Sequence, residues 1–373
     1  MPEFTIILLA AGNSTRFAQA VKKQWLRIGD KPLWQFVADR LITQVGTSQI
    51  IITAHPQELH YMRQHGDYMI VNGGDSRQES LKNALAEVKT PYVLVTDVAR
   101  ACIPDEMIEN LIKNREKADI IVPYLPVSDT VVYRNETINR DEIKLIQTPQ
   151  LSKTEVLNKA LRSDTIYTDD SSAIKAIGGS CFYIKGSTSA KKITIYDDLA
   201  LLPCLTPPQN TTLTGTGFDV HRFCHDREMF LGGVKIESEL GFEAHSDGDV
   251  ALHALIDALL GAIGAGDIGE LYPDTDMANK DIDSKVMLSD VVSFVRSVGF
   301  EINNVDITIM AQVPKLLPYK EKMRKKIAEI LGIAPIRVNI KATTTEKLGF
   351  VGRKEGVAVE AVASLQYYNW KRI

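Results

Sequence analysis

Five short, nearly continuous apolar runs recur through the first half of the chain, at residues 4–10, 50–54, 68–71, 92–96 and 120–123, and no other feature restricts the possible folds as strongly. A strand with little polar interruption is one buried on both faces, as in a central parallel sheet. Between the runs lie helical patterns at residues 33–44, 76–88 and 104–117. Strand and helix in alternation predict an α/β domain with a Rossmann-like, mostly parallel sheet. Such sheets bind ligands beyond the carboxyl ends of their strands, so the loops that follow these runs are where chemistry is expected.

The pattern changes after residue 200. A chain of 373 residues is too long for one ordinary core. Pro203, Pro207 and Pro208, followed by polar residues, read as a short semi-rigid linker. The expected division is a first domain at 1–207, a linker at 208–213 and a second domain at 214–373. In the second part, strand-like segments at 215–220, 229–234, 305–311, 336–341 and 356–364 are mixed with helical patterns at 250–263, 284–298 and 318–330. Alternation such as Val305, Ile307 and Ile309 against Asp306 and Thr308 suggests an open sheet with one wet or subunit-facing side. This is a smaller α+β domain.

Composition excludes several classes of partner. A formal net charge of −4 gives no general attraction to nucleic acid or to anionic membrane. No apolar run reaches the roughly 20 residues of a membrane span, and the N-terminus lacks the basic region of a signal peptide. Cys102, Cys181, Cys204 and Cys224 are scattered without a C-x-x-C pair, so no disulfide frame is expected and a reducing cytoplasm fits.

The first expected strand ends in AAGNSTRF at residues 10–17. Small residues let backbone amides approach a phosphate. The spacing is neither that of a P-loop nor that of a dinucleotide fingerprint. Arg16 and Lys23 beside such a loop suit a triphosphate, although a solvated basic loop reads the same way. Gly73, Gly74 and Asp75 form a turn before a helix, and Asp97 ends a strand where it suits Mg²⁺, with Arg100 nearby.

In the second half, Asp219 and His221 alternate on a short segment and point to one face of a strand. Asp249, His253 and Asp257 sit four apart on one helical face, and Asp247, Gly248 and Asp249 look like the helix start. A lone helical histidine is more often an ordinary surface or core residue. With Asp-x-His upstream it completes a three-ligand zinc set with an open fourth position. Asp257 either orients His253 or is solvated.

The first half resembles 2-C-methyl-D-erythritol 4-phosphate cytidylyltransferase. The resemblance is carried by Ala10-Ala11-Gly12 with Arg16 and Lys23-Gln24, Gly73-Gly74-Asp75 with Ser80, and Thr96-Asp97 with Ala99-Arg100. It continues through residues 126–130, 137–140 and 147–150, then Thr168-Asp169-Asp170 and Lys192-Ile193-Thr194. It implies that Arg16 and Lys23 steady the α-phosphorus of CTP and that Asp97 holds Mg²⁺. Ala10, Ala11, Gly12, Gly74, Asp75 and Ser80 would surround the nucleotide, and Thr137, Arg100 and Lys192 would place methylerythritol phosphate. The chain departs from the family in three places. Thr96 replaces a histidine, Ser14 and Thr15 replace the loop glycine region, and Thr154, beside Lys153, replaces a basic residue.

The loops AHSDGD, GDIGELYPDTD, AQVPKLLP and KATTTEKLGFVGR, with GFDVH, resemble 2-C-methyl-D-erythritol 2,4-cyclodiphosphate synthase over about residues 214–365. That resemblance implies zinc on Asp219, His221 and His253, with His245 and Ser246 meeting a phosphate. Asp267, Gly269 and Asp274 would frame the erythritol end, while Lys315, Thr343 and Thr344 would hold cytidine and diphosphate. His245 and Thr344 would act in catalysis, Glu346 would carry a second metal such as Mg²⁺, and Phe350 and Arg353, in the same matched loop, would line a shared cavity. The expected substrates are CTP, methylerythritol phosphate and the diphosphocytidyl 2-phosphate. A separate kinase is implied between the two steps. A homo-oligomer is expected, a hexamer if cyclase trimers and transferase dimers coexist. Two alternatives stay open: a transferase acting on another polyol phosphate, and a half that only binds nucleotide or builds the assembly.

Overall fold

The computed structural model describes residues 3–163, 165–273 and 282–371. The chain divides into two compact units, Met1–Pro207 and Pro208–Ile373.

The first unit is built on a sheet whose strands run in the order Lys144–Ile146, Ile120–Pro126, Gln150–Lys153, Tyr92–Asp97, Phe4–Leu9, Ile50–Ala54, Met69–Asn72. Phe4–Leu9 pairs in parallel with both Ile50–Ala54 and Tyr92–Asp97. Ile6, Ile7 and Leu8 are fully buried, as are Val93, Leu94 and Val95. Burying each such aliphatic side chain stabilises by about 1.5–3 kcal/mol, which is why these runs take the centre of the sheet. Leu9 is level with Asp97 on one side and with Thr53 on the other, and Ala54 is level with Asn72. The loops after these strands therefore share one end of the sheet. The chain winds outward in both directions from Phe4–Leu9, so the crevice between Phe4–Leu9 and Tyr92–Asp97 is the switch point where such sheets take ligands.

The sheet is not purely parallel. Gln150–Lys153 runs antiparallel to both Tyr92–Asp97 and Ile120–Pro126. A hairpin of Val131–Tyr133 and Glu136–Ile138 stands apart from the sheet. Neither was expected from periodicity, because three- and four-residue strands carry too few alternations to register. The helix expected at 76–88 is Arg77–Leu85, started by Ser76, whose hydroxyl accepts from the Glu79 amide at 3.0 Å. Cys102 and Cys204 are joined in a disulfide with Cα atoms 5.7 Å apart, which corrects the expectation of no disulfide. The partners lie 102 positions apart, so no local spacing could reveal the pair. Cys181 and Cys224 are free.

The second unit has a five-stranded sheet in the order Gly241–Phe242, Thr212–Cys224, Gly356–Tyr367, Phe300–Met310, Val338–Thr343. Only Phe300–Met310 and Val338–Thr343 pair in parallel. The first long strand already begins at Thr212, inside the segment read from sequence as linker, and it runs to Cys224 rather than ending at 220. The expected strand at 229–234 is instead a hairpin of Met229–Leu231 and Val234–Ile236. Helix Val250–Ile263 lies on this sheet, and glycine makes that possible. A Cβ at Gly215 would stand 2.2 Å from the Ala258 carbonyl oxygen, and one at Gly217 would stand 2.0 Å from that of Ala254. Helix and strand backbones touch there, with alanine on one side and glycine on the other.

Candidate active sites

In the first unit a cavity of about 460 Å³ opens at the carboxyl ends of the central strands. Ala11, Gly12, Arg16, Lys23, Gly74, Asp75, Ser80, Asp97 and Lys192 line it, so the tertiary fold gathers nine of the sequence-derived candidates. The loops that carry them fit closely. A Cβ on Gly73 would meet the Ala11 Cβ at 2.2 Å. The Ser80 hydroxyl accepts from the Gly74 amide at 3.0 Å.

Lys23 is fixed from several directions. Its amide donates to Ser14 Oγ at 2.9 Å and its Nζ to the Ile193 carbonyl at 3.0 Å. Neighbouring Gln24 donates to the Gly12 carbonyl at 3.0 Å, which ties the phosphate loop to the lysine segment. Burial, then the charges of Lys192 and Arg16, hold the Lys23 ammonium below the ordinary lysine range.

Asp97 sits at the centre of a line of ionic contacts. Lys192 Nζ lies 2.7 Å from it and Arg77 Nε 3.4 Å, while Arg77 Nη1 reaches Asp170 at 2.8 Å. Burial alone would raise the Asp97 pKa, but Arg77 and Lys192 outweigh it and the carboxyl is held below its ordinary value. Asp170 goes the other way, because its burial is only partly offset by Arg77. Asp97 thus stays an ionised oxygen donor open to the cavity, the kind of group that holds Mg²⁺ together with substrate phosphates.

Three candidates are placed elsewhere. Ala10 is buried, with its amide on Thr53 Oγ1 at 3.1 Å. Arg100 is buried and donates to the Ala190 carbonyl at 2.6 Å, holding the segment that delivers Lys192. Thr137 is exposed on the hairpin strand Glu136–Ile138. Thr154 is buried at the start of a helix and Lys153 is bound to Asp119 at 3.0 Å, so neither lines the cavity. Sequence reasoning missed Arg77 and Glu58. Glu58 is buried and accepts from Trp25 Nε1 at 2.6 Å, from Gln24 at 3.2 Å and from Lys22. A larger cavity of about 1090 Å³ is lined by Lys153 and Thr154 together with Lys89, Tyr92 and Arg162.

In the second unit Gly215, Gly217, Asp219 and His221 share one face of strand Thr212–Cys224, the face against the helix. His253 comes from that helix, one position before Ala254. The Asp219 carboxylate oxygen lies 3.2 Å from His221 Nδ1 and 3.2 Å from His253 Nδ1. The three ligand atoms all lie within 4.8 Å of one another, and they form a group that could hold a metal ion. A tetrahedral zinc with bonds of about 2.0–2.1 Å sets its ligand atoms roughly 3.3 Å apart, and the donor set matches. His221 Nδ1 is buried without a hydrogen bond, so close to Asp219 yet not aligned with it, as suits a lone pair aimed at a shared point. Burial would raise the Asp219 pKa, but the two histidines depress it well below the ordinary carboxylate value. Burial would lower that of His253, and Asp219 raises it instead.

Asp249 caps the helix and accepts from the Gly232 and Gly233 amides at 2.8 and 2.6 Å. Asp257 is half-buried, and its carboxylate accepts from the Ile268 amide at 2.8 Å rather than from His253. Ser246 is buried with Oγ 3.3 Å from His253 Nε2, while His245 is exposed. Asp267 caps the short helix Ile268–Leu271, which includes Gly269. Asp274 lies outside the described residues. Lys315, Thr343, Thr344, Glu346, Phe350 and Arg353 are exposed: Lys315 follows strand Phe300–Met310, Thr343 ends strand Val338–Thr343, and Phe350 lies in the short helix Gly349–Gly352, the two strand ends being joined where Ala311 donates to the Thr343 carbonyl at 3.0 Å. Asp219 is level with Val359, Val359 with Ile309, and Ile309 with Ala342. Three strand spacings put the Thr343 loop about 14 Å from Asp219 along the sheet.

Comparison with known proteins matches each part of the chain to a family. Residues 4–205 match the family 2-C-methyl-D-erythritol 4-phosphate cytidylyltransferase, and residues 212–366 match the YgbB family. The bifunctional enzyme IspD/IspF of Aliarcobacter butzleri is 55% identical over 373 residues, covering 100% of both chains. That of Sulfurimonas denitrificans is 56% identical, covering 99% of this chain and 96% of the relative. The solved structure of the bifunctional IspDF from Campylobacter jejuni is similar with a TM-score of 0.90 at 48% identity, over 100% of both chains. The chain belongs to the bifunctional IspD/IspF family of isoprenoid-precursor synthesis, in which a cytidylyltransferase and a cyclodiphosphate synthase share one polypeptide.

Proposed function

We propose how each unit of this bifunctional enzyme carries its reaction. In the first unit the 4-phosphate of methylerythritol phosphate attacks the α-phosphorus of CTP and pyrophosphate leaves. The observation that carries this reading is the convergence of Arg16, Lys23, Lys192 and Asp97 on one cavity beside a loop of small residues. Nucleotidyl transfer needs little beyond positioning and charge neutralisation. Arg16 and Lys23 neutralise the phosphate oxygens, and the bonds from Ser14 and Ile193 keep the Lys23 ammonium in place before substrate arrives. Gly12, Gly74, Asp75 and Ser80 form the nucleotide wall. Lys192, held over Asp97, orients the acceptor phosphate. Arg100 acts through the segment that carries Lys192, and Ala10 through the strand end it completes. The exposed Thr137 fits a role for a second copy's hairpin better than one in this cavity.

In the second unit the 2-phosphate of diphosphocytidyl-methylerythritol attacks the β-phosphorus and CMP leaves. Asp219, His221 and His253 would hold zinc in this reading, and Asp97 and Glu346 would each hold Mg²⁺. The bound ions supply Lewis-acid polarisation and charge neutralisation at phosphate oxygens. Exposed His245 approaches the same phosphate. Lys315, Thr343, Thr344, Phe350 and Arg353 grip the nucleotide, and Asp267 and Gly269 the erythritol end. Nucleotide loops about 14 Å from Asp219 in one chain favour sites completed between copies. Cyclase trimers and transferase dimers in one chain then give a hexamer, with a separate kinase acting between the two steps. A cytoplasmic setting belongs to the same proposal and rests on the soluble phosphorylated substrates. No helix among the described residues is long and apolar enough to cross a membrane.

The test is an assay of each half on its own substrate. Arg16→Ala should abolish pyrophosphate release from CTP and methylerythritol phosphate while leaving CMP release from the diphosphocytidyl 2-phosphate intact. His253→Ala should do the reverse. Unchanged cytidylyl transfer in Arg16→Ala would overturn the first assignment, and cyclisation surviving in His253→Ala would overturn the second.

A further inference from the structure

We infer that Ser284 and Asp247 are positioning residues for His253, holding its ring so that Nδ1 is the nitrogen offered to the metal. The inference rests on the reading of Asp219, His221 and His253 as the metal site.

His253 Nε2 lies 2.9 Å from Ser284 Oγ, and Ser284 Oγ lies 2.5 Å from Asp247 Oδ1. An oxygen–oxygen distance of about 2.5–2.7 Å is that of a hydroxyl donating to a carboxylate. An ionised carboxylate only accepts, so the Ser284 proton lies toward Asp247. Ser284 Oγ can then face His253 only as an acceptor, and Nε2 must carry the proton. In the opposite tautomer Ser284 would donate to Nε2, leaving two oxygens 2.5 Å apart with no proton between them. Ser246 Oγ, 3.3 Å from Nε2 and already accepting from the Gly248 amide at 3.1 Å, is a weaker partner on the same side.

With one proton fixed on Nε2, the proton that Nδ1 shares with Asp219 in the hydrogen bond between them is the one released when an ion binds, and the freed lone pair is at Nδ1. That is the atom 3.2 Å from Asp219 and facing the same point as His221 Nδ1. Ser284 is well placed to enforce this, because it is fully buried at the first turn of helix Ser284–Ser297. The Asp247 amide donates to the Ile282 carbonyl at 3.2 Å, so the two parts of the relay are also joined through the backbone. A ligand histidine whose other nitrogen is fixed by such a partner binds its ion more tightly, and loss of the partner costs roughly 10–100-fold in affinity.

The experiment is a metal titration of the full chain, stripped by dialysis against a chelator. Zinc is titrated in competition with a chromophoric chelator, and cobalt(II) is followed by its visible absorption. His253→Ala should lose the site. Ser284→Ala should keep the ion that His253→Ala loses but bind it roughly 10–100-fold more weakly, with a shifted cobalt band. Asp247→Asn should weaken binding in the wild-type background and add nothing on top of Ser284→Ala, since the two act in series. Ser284→Ala binding zinc and cobalt as wild type does would overturn the inference. If the wild-type chain and His253→Ala bind alike, the metal-site reading itself fails. Melting of the metal-free chains checks folding. Should Ser284→Ala lose its native transition, Asp247→Asn decides alone, with weakened binding in support and wild-type affinity against.

Discussion

Arg77 donates to the buried carboxylate of Asp170 at 2.8 Å, although 93 positions of sequence separate them. The same guanidinium reaches Asp97 at 3.4 Å, so one arginine links the start of helix Asp170–Ala176 to the carboxylate at the centre of the transferase cavity. Asp170 has no exposed surface to speak of, and its charge depends on Arg77. Arg77→Ala should therefore destabilise the first unit by about 3–5 kcal/mol, as expected when one partner of a buried pair is removed. Urea unfolding followed by the fluorescence of Trp25 and Trp34, both in the first unit, measures this. Arg77→Ala together with Asp170→Asn should recover part of the loss, because no charge is then stranded.

Glu58 is buried beneath the segment that carries Lys23 and accepts from three side chains at once. In Glu58→Gln the acceptor charge disappears. A hydrogen bond to a charged group contributes about 1.5–3 kcal/mol, so stability should fall by about that much. Cytidylyl transfer should fall with it, through a displaced Lys23, while cyclisation by the second unit should be unchanged. Parallel assays of pyrophosphate and CMP release check the split.

Lys23 is held below the ordinary lysine pKa of 10.5 by burial and by Lys192 and Arg16. In the proposed reaction its charge faces phosphate, so the alkaline limb of kcat/KM for cytidylyl transfer should fall below pH 10.5. Lys23→Arg should push that limb upward, whatever it does to the rate, because a guanidinium stays charged. For folding the sign is unfavourable. A lysine with a depressed pKa is a cost while protonated, and the cost is relieved as pH rises from the folded pKa toward the unfolded one.

Asp119 shows the opposite sign. Its pKa is lowered to about 2, first by the Ser180 amide and hydroxyl and then, against a small effect of burial, by Lys153. A depressed carboxylate contributes stability above its unfolded pKa and loses it as pH falls through the folded one. Asp119→Asn should be less stable than wild type at neutral pH. The difference should close as pH falls from about 4 toward about 2, as acid titrations of the two chains would record.

Gly217 admits the helix that carries His253, since a Cβ there would stand 2.0 Å from the Ala254 carbonyl oxygen. Gly217→Ala must push helix and strand apart. Overpacking of this kind costs about 1–3 kcal/mol. The displacement also moves His253 away from Asp219 and His221, so zinc affinity should fall along with stability. A zinc titration of the purified variant, beside its unfolding curve, tests both effects.

Much of the candidate chemistry could be read from local spacing. Asp219 and His221 alternate, so a strand must aim both at one face, and His253 lies on a helix whose period is plain in the sequence. Arg16, Lys23 and Asp97 stand where a doubly wound sheet collects its loops. Glu58, Arg77 and Ser284 were not legible. Each acts on a residue 20 or more positions away, and nothing near it in the chain announces the partner. The Cys102–Cys204 disulfide escaped for the same reason. The fate of Asp257 was undecidable from its helical face alone, because its partner is the Ile268 amide beyond the end of the helix.

The order of residues by itself determined the periods. Runs with little polar interruption made buried strands, residues two apart shared a strand face, and residues four apart shared a helix face. Those are properties of backbone geometry and hold before anything packs. Only the tertiary structure decided which faces meet. Contact between Gly215 and Gly217 and the alanines of helix Val250–Ile263 brought His253 to Asp219 and His221. Sheet order brought Asp97, Arg77 and Lys192 to one cavity. Ionic contacts, proton positions and metal geometry act over distances of a few ångströms. They exist only once packing has brought together groups that the chain itself keeps far apart.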